Sequence, residues 1–510
     1  LDIYGILATQ SVAGGYRVAG QATGNSVLIR QSAQINSGVS LFGGYSGDSS
    51  DAFSGNTLTI ENRAPMTFAE IQYFENYNLT LPAGLTTGGT LITISGATPT
   101  YLDNLADNSQ TAKFTLNVAG NDPLRNPGDY FTIISNTDTF SGNKYTSTPT
   151  GLRGIGVRYT YTLENQSDRL PGSPEALIAT ISGREVNPQT GPLVQASIAP
   201  ALFLTQGGDF LVNQGLDAAI GTRLLGQPDE CGRDCWAPRM FAVAGYGASR
   251  PDSDGRVKVN GGNFLIGAGF GNDSCIQPLN LAFFVEGGKG DYDSRGQVTG
   301  ERSIKGKGDV SYIGGGLMGK AEQLTGNLYV DGSFRFGRAK SDYQTHNFDV
   351  PEYLGDRLPK FDLEGNYYGA HLGVGYIFEM TETVKLDLGA RYLWTRLEGD
   401  SVKLLGDRFE FDDIDSHRLQ AGGRLTWDVQ DTLASPYFGA WYEYEFDGKA
   451  GGRVEGLKIN GTDMKGSSGL LEAGVKLRPA TEGPVFDLGV TGSFGQRESI
   501  GGHAGLRWDF

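Results

Sequence analysis

Serine hydrolysis is the first chemistry this sequence invites, and its residue order speaks against it. Gly47-Asp48-Ser49-Ser50 looks like the start of a nucleophile motif. A serine nucleophile needs an imidazole base within hydrogen-bond reach. The four histidines, His346, His371, His417 and His503, all fall in the last third of the chain, among alternating strands, so the tetrapeptide reads as a turn. His371 or His417 beside an Asp would make a site of its own only in an interior open at one end; lining a polar interior is the simpler role. The three cysteines are Cys231, Cys235 and Cys275. A C-x-x-x-C pair without further ligands nearby argues against zinc. Closing a short loop favours a Cys231–Cys235 disulfide, with Cys275 as the competing partner. No enzyme activity, metal or cofactor is expected. A net charge of −16 with no basic cluster argues against nucleic acid.

What remains is charge, and it is laid out with period two. Val384, Leu386, Leu388, Ala390, Tyr392 and Trp394 alternate with Lys385, Asp387, Gly389, Arg391 and Thr395. Leu419, Ala421, Leu425 and Trp427 alternate with Arg418, Gln420, Arg424 and Asp428. Such alternation puts one set on each face of a strand. The polar faces then carry Arg391, Arg418, Arg424, Lys476 and Arg507 against Asp387, Glu443, Glu445, Glu472, Asp487 and Asp509. Far upstream, Asp209 to Gly226 reads as the one convincing helix, with Asp209 as N-cap and Gly226 as C-cap. It offers Asp209, Asp217 and Arg223 as charged partners, with Asn213, Gln214 and Thr222 for hydrogen bonds. At 1.5 Å per residue it is roughly 25 Å long. Gly215 and Gly221 keep it thin, at about 1 kcal/mol each. Arg184 to Pro200, with Pro188, Pro192 and Pro200, reads as a linker before it.

Twelve alternating segments follow Trp236, near 239–248, 263–272, 279–289, 309–320, 327–338, 367–379, 384–396, 417–429, 437–446, 469–478, 485–495 and 502–510. Alternation alone does not say which face is out. The connections do: those after even-numbered segments are short (273–278, 321–326, 380–383, 430–436, 479–484). Those after odd ones are longer and polar (249–262, 290–308, 339–366, 397–416, 447–468), with only 496–501 brief. Short turns on one rim and long loops on the other mark a transmembrane barrel, apolar side in lipid and polar side in a lumen. Trp236, Tyr392, Trp394, Tyr444 and Trp508 fit interfacial girdles. A mean hydropathy of −0.28 is compatible with this, because barrel strands give no hydropathy peak.

The 510 residues are enough for two or more domains, and the front of the chain is different in kind. Gly14-Gly15-Tyr16 matches Gly43-Gly44-Tyr45, and Ala22 to Ile29 matches Ala52 to Ile60. Ile3-Tyr4-Gly5 also matches Leu41-Phe42-Gly43. Short strands between Gly-Asn turns suggest rungs of a β-solenoid over residues 1–66. From 67 to 183 the repeat gives way to longer strands, read as the capping end. The chain begins at Leu1, without Met, as a mature form or a fragment would. The expected fold is all-β: solenoid at 1–66, cap at 67–183, linker and helix at 184–230, and a twelve-stranded antiparallel barrel at 231–510.

The last strand ends His503-x-Gly505-x-x-Trp508-x-Phe510, which resembles the sorting signal of bacterial outer-membrane barrels, polar-x-Gly-x-x-aromatic-x-aromatic. Solenoid, helix, barrel and terminal aromatic, in this order and at these lengths, resemble an autotransporter of type V secretion. The resemblance implies that the barrel anchors in the outer membrane and displays the N-terminal passenger. It also implies that 67–183 promotes passenger folding and that the helix threads the lumen. Partners would be outer-membrane lipid and lipopolysaccharide, with barrel-assembly machinery and periplasmic chaperones during biogenesis; the barrel would be monomeric. The passenger reads as a non-enzymatic, adhesin-like or structural element. The alternatives are a channel or porin, or display of an enzyme whose site lies upstream. All three cysteines would lie at the periplasmic rim, where disulfides are permitted. Some members of the family cut themselves at an Asn-Asn pair in the helix. Here Asn213 is followed by Gln214, so Asn213 reads as a hydrogen-bond partner of the wall.

This topology places 339–366 and 447–468 outside the cell. Membrane-impermeant labelling of intact cells should reach cysteines introduced in both and spare 321–326 and 430–436; the reverse pattern would invert the barrel.

Overall fold

The computed structural model describes residues 1–510 apart from 8–9, 49, 62–63, 99, 103–110, 137–139, 142–144, 147, 167–174, 221–235, 253–255, 273–278, 299–302, 429–432, 479–482 and 510. The chain forms two compact units, Leu1–Asn187 with Asp349–Arg357 and Lys403–Arg408, and Pro188–Phe348 with Leu358–Val402 and Phe409–Phe510.

The first unit is a parallel solenoid. Ser26–Ile29, Thr57–Ile60, Asn76–Leu81 and Lys113–Val118 stack in register, aligning Val27, Leu58, Tyr77 and Phe114 in one buried column. The Tyr77 and Phe114 rings stack at 4.7 Å, and burial pushes the Tyr77 hydroxyl's pKa well up. A second sheet pairs Ser11–Arg17 with Ser40–Ser46 and sets Tyr16 against Tyr45, the match that the Gly-Gly-Tyr repeat anticipates. The Ile3/Leu41 match does not correspond to a rung: Ile3 pairs with Ile29, and Leu41 with Val12 and Ile71.

The turns explain the Gly-Asn signature. Gly24 and Gly55 both sit at φ of 69°, a conformation that costs other residues. The next residues stack: Asn25 donates its backbone N–H and its Nδ2 to Asn56 Oδ1, at 2.8 and 3.0 Å. Asn56 is fully buried and reaches back to the carbonyls of Ala22 (3.1 Å), Tyr73 (3.2 Å) and Ala52. A methyl on Gly44 would lie 2.0 Å from the Ala22 oxygen, so glycine is required beside this ladder.

Parallel stacking does not stop at residue 66, as the sequence suggested. It runs on through Thr150–Arg153, which pairs with Lys113–Val118. The fold reverses only then: Val157–Asn165 pairs antiparallel with Thr150–Arg153, and Ala176–Val186 joins it to Tyr130–Asn136. The cap is thus this final pair of strands. The longer strands of 67–153 hide the repeat because their turns vary in length while the stacking continues.

The second unit is a closed barrel of twelve antiparallel strands, from Trp236–Pro251 to Arg497–Asp509, which pair with each other to close it. Its outer surface settles the face question. Ile266, Phe283, Val285, Leu317, Phe336, Leu372, Leu388, Phe438, Leu488 and Trp508 are all exposed, a belt that water would not tolerate and lipid would cover. No helix among the described residues is long and apolar enough to cross a membrane; the strands do the crossing.

Much of what reads as long loops is strand. Leu279–Gly296, Ile304–Ala321 and Leu328–Thr345 each have 18 residues, about 60 Å at 3.3 Å per residue, far beyond an apolar band of about 25 Å even when tilted. Backbone pairing outlasts the apolar pattern, so hydrophobicity marks the buried band and not the strand end. The connections at 397–416 and 447–468 carry hairpins that meet where Phe409–Phe411 pairs with Gly452–Val454.

The supposed linker begins as the end of the strand Ala176–Val186 and is helical from Pro188 on. Gly191–Ala196 and Ile198–Phe210 are α-helical, followed by a π-helical turn at Leu211–Gly215 and α-helix at Leu216–Ile220. Asp209 is therefore an interior residue and not an N-cap. The prolines mislead because Pro192 and Pro200 occupy first turns, where a missing N–H costs nothing. Gly221, Arg223 and Gly226 lie outside the described residues.

Replacing Asn56 by Ala would strip the buried ladder of its acceptor and its amide donor. Unsatisfied buried groups cost about 1–3 kcal/mol each, so Asn56→Ala should destabilise the first unit by roughly 3 kcal/mol and leave the barrel unchanged, as hydrogen exchange on the full chain would resolve.

Candidate functional site: the occupied lumen

The helix lies inside the barrel, and its two faces meet two kinds of wall. Leu211, Leu216, Ala219 and Ile220 pack against Phe241, Val243, Leu265, Ala282, Phe284 and Met318 of the first four strands. A methyl on Gly215 would come within 3.2 Å of Leu265, and one on Gly207 within 2.4 Å of the Tyr312 hydroxyl, so both glycines thin the helix where the wall is near. An apolar inner wall was not anticipated. In these strands both faces are apolar, and alternation cannot separate them.

Asp209, Asn213 and Asp217 stand four residues apart, which sets them along one side of the helix. They face the charged wall. Arg418 Nη1 donates to Asp209 Oδ1 at 2.6 Å and to Glu443 Oε2 at 3.0 Å. Arg497 bonds the other Asp209 oxygen and lies 2.8 Å from Glu443. One turn on, Arg391 Nη2 donates to Asn213 Oδ1 at 2.5 Å while its Nε donates to Gln420 at 2.7 Å. Asp217 accepts from Arg424 at 2.9 Å and from Lys476 at 2.7 Å, and Arg424 also grips Glu472 with two bonds of 2.8 Å.

These contacts form two quartets. Asp209 and Glu443 balance Arg418 and Arg497; Asp217 and Glu472 balance Arg424 and Lys476. Within each quartet the wall supplies two cations and one carboxylate, and the helix supplies the missing negative charge.

Asp387 and Glu445 bond within the wall. Asp387 accepts from the Tyr329 hydroxyl at 2.7 Å, and Glu445 accepts from Ser416 Oγ at 2.5 Å and the His417 N–H at 2.8 Å. Arg507 is buried on the last strand. Arg223, Phe510 and the cysteines, including the expected Cys231–Cys235 pair, lie outside the described residues. Of the terminal motif, Trp508 faces outward, while His503 faces inward, 3.2 Å from the Tyr437 hydroxyl; Gly505 sits between Val243 and Asp487 in the ladder.

The sequence reading missed several contributors. Arg497 fell in an assumed turn. Arg335 donates to the Leu204 carbonyl at 2.7 Å and to Glu286 at 3.1 Å. Arg239 donates to the Ile220 carbonyl at 2.7 Å, a cation at the helix's C-terminal end. For all three, the inward parity of the strand was the available signal.

Ser333 Oγ lies 2.6 Å from His371 Nδ1, and His371 Nε2 lies 2.7 Å from Asp331. Ser333 and His371 are direct ladder partners, and the imidazole's side chain is 2% exposed, so the chain of bonds ties neighbouring strands of the wall together. Beside the helix, a cavity of about 90 Å³ lined by Asp209, Asn213, Glu472 and Arg497 leaves room for water.

Against this geometry, residues 242–483 match the autotransporter beta-domain family. The chain carries an autotransporter β-domain. Its barrel anchors the protein in the outer membrane and supports display of the N-terminal passenger. Solved structures with similarity include the translocator domain of the autotransporter NalP from Neisseria meningitidis, 15% identical, covering 62% of this chain and 99% of that one with a TM-score of 0.45. The beta domain of the Bordetella autotransporter BrkA is 17% identical, covering 54% and 100%, at a TM-score of 0.43. The transport unit of AIDA-I from Escherichia coli is 14% identical, covering 60% and 99%, at 0.42. No curated protein matches the chain.

The two quartets inside this autotransporter β-domain differ in burial. Arg418 and Arg497 side chains are 2% and 11% exposed, Arg424 and Lys476 17% and 18%. Breaking a buried pair leaves an uncompensated charge, at about 3–5 kcal/mol. Asp209→Ala should therefore lower the temperature at which the folded barrel loses its fast migration in detergent gels by more than Asp217→Ala does; an equal or reversed order would contradict this ranking.

Proposed function

We propose that this autotransporter is a sealed surface-display anchor whose passenger is a non-enzymatic, adhesin-like or structural element. The observation that carries the sealing is the pair of quartets: a helix bonded by Asp209 and Asp217 to four wall cations occupies the lumen. Such pairs in a confined, poorly solvated site interact more strongly than exposed ones. Removing the helix would leave each quartet with two cations and one carboxylate, and the pore open.

The passenger reading rests on chemistry. The first unit contains no histidine. Asp48, within the Gly47–Ser50 tetrapeptide, accepts bonds from Ser46 Oγ (2.6 Å), Gly20 N–H (2.8 Å) and Ser50 N–H (3.1 Å), as a turn carboxylate does. These bonds, with Ser46 first, hold its carboxyl well below the usual range. Ser49 lies outside the described residues. Outer-membrane lipid and lipopolysaccharide would cover the apolar belt, assembly machinery and periplasmic chaperones would act during biogenesis, and the barrel would work as a monomer without cofactor.

Deleting residues 198–220 should give a barrel that conducts ions across a planar bilayer, whereas the intact protein stays closed. Equal conductance of both would place the seal elsewhere and favour a channel. Labelling of the first unit on intact cells tests display separately.

A further inference from the structure

The first unit is built from more than the N-terminal residues. Two segments that lie in sequence between barrel strands belong to it, Asp349–Arg357 and Lys403–Arg408. Hydrogen bonds from both segments reach one turn, Arg153 to Gly156, which links the last parallel strand to the first antiparallel strand of the cap. The Asp407 carboxylate is fully buried. It accepts from Arg153 Nη1, from the Ile155 N–H and from the Gly156 N–H, each at 2.7 Å. Tyr353, from the other segment, accepts from the Gly154 N–H at 3.0 Å and donates to the Val118 carbonyl at 2.9 Å.

Three consecutive backbone donors of the turn are thus met by side chains from far downstream. The turn is shaped for them. Gly154 has φ of 55°, and a methyl there would lie 2.1 Å from the Asp407 carboxylate. Gly406, at the hairpin tip with φ of 103°, approaches Gly120 so closely that a methyl would meet its backbone at 3.0 Å. Arg153 is itself buried, with Nε on the Asp122 carbonyl at 2.9 Å. Residues 1–187 on their own would lack the Asp407 carboxylate, and removing one member of a buried ion pair is strongly destabilising.

We propose that these two segments form an intramolecular folding clamp: the first unit completes its cap, and becomes protease-resistant, only when Asp407 and Tyr353 engage the Arg153–Gly156 turn. In an autotransporter this makes the segments between barrel strands a template for the passenger. That role depends on the display reading for its location, but the clamp itself does not.

The test uses the full chain purified in detergent, with Asp407→Asn and Tyr353→Phe. Trypsin digestion of the first unit is timed, and the heat-dependent gel shift of the barrel is the internal control. Digestion tracks the population of the opened form. The clamp requires Asp407→Asn to be digested at least about tenfold faster, and Tyr353→Phe faster by a smaller factor, with the barrel shift intact. If Asp407→Asn loses the barrel shift, Tyr353→Phe decides alone. Unchanged resistance in the variants that keep the barrel, or loss of the barrel shift in both, would overturn the clamp. Surface labelling of wild-type cells reports on display independently: absent labelling with accelerated digestion would remove the display reading and leave the clamp standing.

Discussion

Asp209 lies between two guanidiniums, and the occupied lumen depends on that arrangement. Within the two quartets the barrel wall presents Arg418, Arg497, Arg424 and Lys476 against only Glu443 and Glu472, a local excess of positive charge. Charges taken from water need partners at good geometry. A helix that arrives with two carboxylates eight residues apart meets that need at two heights at once. This constraint fixes its rotation, since Asp209, Asn213 and Asp217 must face the later strands while Leu211, Leu216 and Ile220 face the earlier ones. It also fixes its depth, since sliding by one turn would put each carboxylate out of reach of its cations.

In the solenoid, the corresponding constraint is the buried polar side chain. Asn25 and Asn56 hold the turns of successive rungs together from inside, and glycine at position 44 lets the backbone come close enough to be held. In both units, apolar burial supplies bulk cohesion, and a few polar contacts specify register.

How much of this is visible in the amino-acid order depends on how local each determinant is. The alternation at 384–396 and 417–429 gives the strands and the identity of Arg391, Arg418 and Arg424 as inward groups, because period two is a property of neighbouring residues. The Gly-Gly-Tyr pair gives the rung register for the same reason. The helix start is obscured by prolines whose effect reverses between the first turn and the interior. Strand ends are obscured because pairing continues beyond the apolar band. The apolar inner wall of the first four strands is hidden, since Phe241 and Met240 are both apolar yet face opposite ways. The bond from Arg153 to Asp407 joins residues 254 positions apart, and nothing in the local pattern of either announces the other.

The uneven strand lengths have a mechanical consequence. Strands on the tall side of the barrel run to 18 and 20 residues, whereas Ala434–Glu445, Gly466–Leu477 and Pro484–Gly495 have only 12 each. Resistance to sideways tearing grows with the length of the hydrogen-bonded ladder, so the short strands are where a heated or strained barrel would unzip. Glu443, Glu472 and Lys476 sit on two of those strands, and their quartet partners Arg418, Arg424 and Arg497 sit on strands that flank them. Through Asp209 and Asp217 the helix acts as an internal strut, tying the weakest seams of the cylinder together from within.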